Sequence, residues 1–173
     1  MLEHRYNTFW LRIWAGWIDC LILLPLWIAH SQVFNHGFPI PIIVASYLFN
    51  SFAGVLYSIL LHFKYGQTVG KRVMKIKVKG IDAESLTLLQ AATRDVVPIL
   101  ATPMFMIPEL PYILKGIDPG VLYEGGNEPT YYRIRESLIC AWFLLELITM
   151  LSNRRRRAIH DYVARTVVER QGI

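Results

Sequence analysis

Charge is scarce in this chain. Charged residues make up 18% of its 173 positions, against 54% hydrophobic, whereas soluble domains carry nearer a quarter. Cysteine is scarcer still: Cys20 and Cys140 both lie inside apolar runs, which excludes CxxC redox chemistry and thiolate metal spacing and leaves small packing residues. The histidines at 4, 30, 36, 62 and 160 are scattered and none has H-E-x-x-H spacing, so no zinc site is expected. No Ser-His-Asp or Cys-His arrangement falls at one depth, and we expect neither enzyme chemistry nor a cofactor. GQTVGKR at 66–72 has the wrong glycine spacing for a phosphate loop and an arginine where Ser or Thr should hold magnesium. Exposed basic residues interleaved with aromatics are also missing, which excludes nucleic-acid binding despite a net charge of +5. The N-terminus has mixed charge, and Pro25, Trp27 and His30 stand where a small-residue cleavage site would close the first apolar run; that run is expected to be a retained helix.

The apolar residues are gathered into four blocks: about 13–29, 41–62, 96–114 and 132–151. A spanning helix needs roughly 20 residues at 1.5 Å rise, and each block reaches that length with its flanks. The third is interrupted by Pro98, Pro103, Pro108 and Pro111 and ends near Glu109; a kinked span is expected, because membrane helices tolerate proline when neighbours satisfy the freed carbonyls. Charge placement tests the count. With the N-terminus inside, residues 1–12, 63–95 and 152–173 hold two, seven and six Lys+Arg, against three (Lys115, Arg133, Arg135) in the outer segments. That is the positive-inside pattern. The expectation is an all-α integral protein of a cell inner (plasma) membrane, one domain over 1–173, with four spans and both termini cytoplasmic.

The cytoplasmic loop 63–95 alternates at Lys75–Lys79, with Leu86–Leu88 as a candidate return strand, so a short hairpin-like element is expected. Thr87 with Gln90 reads as a capping box opening a helix through Arg94. The outer loop 115–135 is glycine- and acid-rich and is expected to be irregular. In the tail, Ala158–Val168 reads as a short interfacial helix with Ile159, Tyr162, Val163 and Thr166 toward the membrane.

Three segments together resemble a known family, the RDD membrane proteins, named for an arginine and two aspartates. They are YNTFWLRIWAGWIDCLIL, with Arg12 at the helix entrance and Asp19 inside; GQTVGKRVMKIKVKGIDAESLTLLQAATRD; and RRAIHDYVARTVV. The resemblance covers nearly the whole chain and implies an integral membrane domain with its polar residues toward the cytoplasm. It would make Asp161 the second aspartate.

A carboxylate inside hydrocarbon is costly unless paired or hydrated. Arg12 and Asp19 are seven apart, close to two helical turns, and share a face. From that need and the resemblance we expect a cytoplasmic-side polar network of Arg12, Asp19, Arg94 and Asp161, with Asp95 as a further member. Asp19 and Glu146 are at similar calculated depths, with Ser58 slightly shallower and Thr102 slightly deeper; these four are the candidate ion or proton site. Ser46, Asn50, Gly54 and Ser58 form a four-residue stripe suited to close helix packing. Arg154, Arg155, Arg156 and Arg157 are expected to contact anionic lipid headgroups. Two functions are weighed: cation- or proton-coupled transport, needing a homo-oligomer or larger membrane partner because four helices make a thin wall, and a non-transporting scaffold that binds anionic lipid or a partner protein.

Overall fold

A computed structural model describes residues 6–82, 85–119 and 130–171. Four long helices carry the chain: α1 (Phe9–Asn35), α2 (Ile40–Tyr65), α5 (Val96–Ile113) and α6 (Thr130–Ser152). Between α2 and α5 lie α3 (Val69–Val73), strand β1 (Ile76–Gly80) and α4 (Leu88–Arg94); after α6 come α7 (Ile159–Val163) and β2 (Thr166–Arg170). Three of the long helices extend the expected blocks by up to six residues at an end, because polar flanks continue the helix past the apolar run, while α5 ends one residue short of its block. Three of them, α1, α2 and α5, are long and apolar enough to cross a membrane. The fourth, α6, has the length, but Arg133, Arg135, Glu136 and Glu146 interrupt its apolar surface.

Local signals set the boundaries. Gly66 closes α2 with φ +71, a left-handed cap that costs a glycine nothing. Thr87 and Gln90 form a complete capping box at α4. Pro103, Pro108 and Pro111 all lie inside α5, which continues through them.

The short elements gather at one end, where the sequence expectation needs correcting. β1 pairs antiparallel not with Leu86–Leu88 but with β2 from the tail, in the register Ile76↔Arg170 to Gly80↔Thr166. Arg165, at φ 53, ends the α7 turn, and the β-branched run Thr166–Val168 then favours a strand. The interfacial helix expected over 158–168 is therefore only its first half, Ile159–Val163. Thr166, expected on the membrane side, is fully buried. Residues 83–84 of the loop's turn and 120–129 of the outer loop lie outside the described residues.

Two small cores hold the ends of the bundle. At the sheet end, Ala15, Ile76, Val78, Leu86 and Val168 pack together with Leu11 and Met74. At the other, Ile43, Tyr47 and Ile113 pack with Val33, Phe34, Val44 and Met106. Along the shafts between them large apolar side chains such as Leu21, Phe49, Leu100 and Ile148 face outward, as expected where the surroundings are lipid rather than water.

α1 and α3 come very close together at Gly70. A Cβ on Gly70 would lie 2.1 Å from the Ala15 carbonyl oxygen and 2.9 Å from the Asp19 carboxyl carbon. Backbone cannot retreat as a side chain can, so Gly70→Ala should destabilise by about 1–3 kcal/mol through overpacking. Gly16→Ala, which meets nothing within 4 Å, is the control. Thermal unfolding in detergent should separate the two, and equal melting temperatures would contradict this contact.

Candidate functional site

The ends of α1, α2, α4, α6 and α7 converge on one polar cluster. Its centre is Asp161, which is fully buried. Arg12 Nη1 donates to Asp161 Oδ2 at 2.6 Å, and Arg94 Nη1 donates to Asp161 Oδ1 at 2.5 Å. As the third residue of α7, Asp161 also accepts from the Ala158 backbone N–H at 2.9 Å. Arg94 Nη1 reaches Thr166 Oγ1 as well. Burial alone would raise the Asp161 pKa, but the Arg12 and Arg94 charges outweigh it and hold the carboxyl well below 3.8. Three points of the chain are thereby joined: the start of α1, the α4–α5 junction and the tail.

Asp19 is placed differently from its expected membership of that network. Its partners are neutral donors: Tyr57 Oη at 2.6 Å and the Gly70 N–H at 2.7 Å to Oδ1, and Thr68 Oγ1 at 2.6 Å to Oδ2. Thr68 is the N-cap of α3, so the carboxylate sits against the first turn of that helix, where free N–H groups favour an anion. Arg12, seven residues earlier on α1, goes to Asp161 instead. Asp95 is likewise outside the arginine cluster; it accepts from Ser58 Oγ at 2.7 Å.

Glu146 does not pair with Asp19. Its Oε2 lies 2.9 Å from His160 Nδ1, and its Oε1 accepts from the His160 backbone N–H at 3.3 Å. Thr102 is apart from all of these, its hydroxyl donating to the Pro98 carbonyl at 2.9 Å. The arginine run also divides. Arg157 is turned inward, donating to the carbonyls of Thr166 and Asp161 at 3.0 Å each and stacking 4.0 Å over Tyr162. Arg156 donates to the Leu151 carbonyl. Arg154 and Arg155 are exposed and remain placed for headgroups. The reason is local: the chain must reverse after α6, and arginines satisfy the carbonyls that the turn leaves open.

Asp19, Ser58 and Glu146 do share one feature. They line a cavity of about 630 Å³ between α1 and α2 on one side and α6 on the other. Arg12, His62, Lys71 and Arg94 line it too, with an apolar part formed by residues such as Trp17, Leu23 and Phe143.

The family model for the RDD family matches residues 6–165. The chain belongs to the RDD family. No curated protein and no solved structure gives a match.

Sequence reasoning missed Lys71 and His62. Lys71 Nζ lies 2.6 Å from His62 Nε2, and His62 Nδ1 lies 2.8 Å from the Ser58 carbonyl. A carbonyl only accepts, so Nδ1 carries the hydrogen and Nε2 accepts from Lys71. Among the described residues no carboxylate lies within 4.0 Å of Lys71 Nζ. Burial, with Arg94 and Arg12 nearby, lowers the ammonium from 10.5 to about 7. A usable signal was present: Lys71 follows Gly70 in the segment that must close on α1.

Asp161 generates a prediction with a defined sign. Its folded pKa is depressed, so its stabilisation is complete above the unfolded value near 4 and is lost as pH falls through the lower folded value. Asp161→Asn leaves two buried guanidinium groups uncompensated and should cost about 3–5 kcal/mol. Unfolding measured across pH should show the wild-type acid limb missing from the variant. An unchanged profile would contradict the central role of this pair.

Proposed function

We propose that this RDD-family protein is a four-span protein of the plasma membrane with both termini cytoplasmic, and that its cytoplasmic-side cavity binds an anionic group. One observation carries the binding reading: the buried cations of the cavity have donors left over. Arg12 spends Nη1 on Asp161, while its Nε and Nη2 are buried with no partner among the described residues, as is Arg94 Nε. Nε and Nη2 form the side-on edge of the guanidinium, the fork that takes a carboxylate or phosphate through two parallel bonds. Lys71 adds an ammonium that is tied only to a neutral imidazole. An unmade hydrogen bond from a buried charged group is costly, and an oxyanion taken by the Arg12 fork would relieve that cost.

Asp19 supports the same choice over a cation. Asp19 already receives three donors, leaving about one of its four lone-pair positions open. Among the described residues no cluster of three or more His, Cys, Asp or Glu could hold a metal ion. On the unpartnered donors of Arg12 and Arg94 we favour the binding scaffold over cation- or proton-coupled transport.

Topology is tested by single cysteines at positions 36, 80, 117 and 170 with a membrane-impermeant thiol reagent. Positions 80 and 170 should label from the cytoplasmic side alone, and 36 and 117 from the opposite side. Labelling of position 80 from outside would overturn the four-span arrangement.

The binding reading predicts a pH dependence. An anion favours protonated Lys71, and with the empty-site pKa near 7 affinity should fall as pH rises through neutrality. Sulfate does not titrate there and makes a clean probe. At constant ionic strength it should raise the melting temperature of the purified protein, binding about tenfold more weakly at pH 8 than at pH 6. Lys71→Gln should remove the pH dependence and weaken binding. No sulfate stabilisation relative to chloride would defeat the proposal.

A further inference from the structure

Resting on the anion-binding reading above, we infer that the natural occupant is a membrane lipid with a compact oxyanion headgroup, the headgroup at Arg12 and Lys71 and a chain along the apolar part of the same cavity. The observations that carry this are separate from the unpartnered donors. The cavity is two-natured along its length. Arg12, Lys71 and Arg94 line its polar end together with Asp19 and Glu146, whose carboxylates are held by Tyr57, Thr68 and Gly70 and by His160, while Leu23, Gly54 and Trp142 line the part further along the helices. From Arg12 to Leu23 is eleven residues of α1, roughly 16 Å at 1.5 Å per residue, or about half of a 30 Å hydrocarbon core. That is the depth of one leaflet. A soluble anion has no use for such a wall; a lipid whose headgroup sits at the membrane edge matches it in both polarity and length.

The sideways route is also built in. α6 makes its substantial packing against α7 at the polar end, whereas α1 packs on α2 and α3, and α2 on α4 and α5. Across the cavity the packing of α6 on α1 and α2 is slight among the described residues, and a gap open to the bilayer is the route this lipid would take. Gly54 borders this gap, and a Cβ there would meet only Leu23 Cδ1 at 3.8 Å, an ordinary contact. The missing side chain is not required by helix packing. Its absence keeps the apolar channel open.

The experiment uses the full chain in a neutral detergent and four probes: sulfate, monobutyl phosphate, monododecyl phosphate and dodecylphosphocholine. Monododecyl phosphate should bind at least about tenfold more tightly than monobutyl phosphate, because its chain leaves water for the apolar wall, and more tightly than the zwitterionic dodecylphosphocholine. Gly54→Leu should narrow the channel and remove most of the chain-length advantage while leaving sulfate binding intact, which also reports that the variant is folded. Cys20→Trp, at another lining position, is the second variant should Gly54→Leu fail to bind sulfate. Equal affinity for butyl and dodecyl phosphate, with sulfate still bound, would overturn the lipid while sparing the anion site. Dodecyl phosphate bound no better than dodecylphosphocholine, or undiminished in both cavity variants, would mean partition into the apolar surface and would equally overturn it. Failure of every anionic probe, sulfate included, would remove both readings.

Discussion

The fold depends on one carboxylate. Asp161 is taken wholly out of solvent, and what makes that tolerable is a guanidinium on each oxygen together with a backbone N–H. A buried pair of this kind is weak evidence of net stability, since desolvation offsets much of the attraction, but removing one partner leaves a bare charge. The consequence is geometric. Arg12 belongs to the first helix, Arg94 to the junction before the third long helix, and Asp161 to the tail; the three segments must meet for these charges to be paired. The two-stranded sheet between β1 and β2 and the small core around Ile76, Val78 and Val168 are placed by the same closure. Both ends of the chain are thus tied to the central loop.

A second, uncharged closure works beside it. Asp19 lies inside the first helix, yet it is satisfied by a tyrosine, a threonine and a backbone amide rather than by an arginine. This requires α3 to come so close to α1 that only glycine fits at position 70. The division has a physical logic. Neutral donors satisfy the deeper carboxylate without bringing a second charge into a low-dielectric region. The arginines stay nearer the membrane edge, where Arg12 answers the tail and still has nitrogen atoms to spare.

Much of this was legible in the residues. Long apolar blocks, the Thr87–Gln90 capping box and the need of Asp19 for partners are local or compositional signals, and each is present in the structure in some form. The long-range pairings were not legible. Lys75–Lys79 alternates like a strand, but nothing local says that its partner lies some ninety residues away; β pairing is set by tertiary closure, and Arg165 at positive φ is the turn that permits it. Likewise, two turns of helix put Arg12 and Asp19 on one face of α1, but the partner each takes is decided by other elements: Arg12 meets Asp161, and Asp19 meets Tyr57, Thr68 and the Gly70 N–H. Depth was readable for Glu146 and Asp19, which do border one cavity; helix rotation, which decides contact, was not.

The cavity follows from how the closures are distributed. Asp161 and the sheet fasten one end of the bundle, and at the other end Glu109 accepts from Tyr47 Oη at 2.5 Å and from Arg135 Nη1 at 2.7 Å. These last contacts join α2, α5 and α6. The fourth long helix is therefore held at both ends, by α7 at one and by Arg135 at the other, with little to draw its middle inward. In water, apolar surface would collapse across such a gap. In a bilayer that drive is absent, because lipid tails solvate the helix as well as a neighbouring helix does. A space with cationic groups at one end and apolar walls beyond is then stable without collapse, and its polar end keeps hydrogen-bond donors that no described residue satisfies. An amphiphile with an oxyanion meets both conditions at once, which is why the lipid reading follows from the architecture as well as from the site.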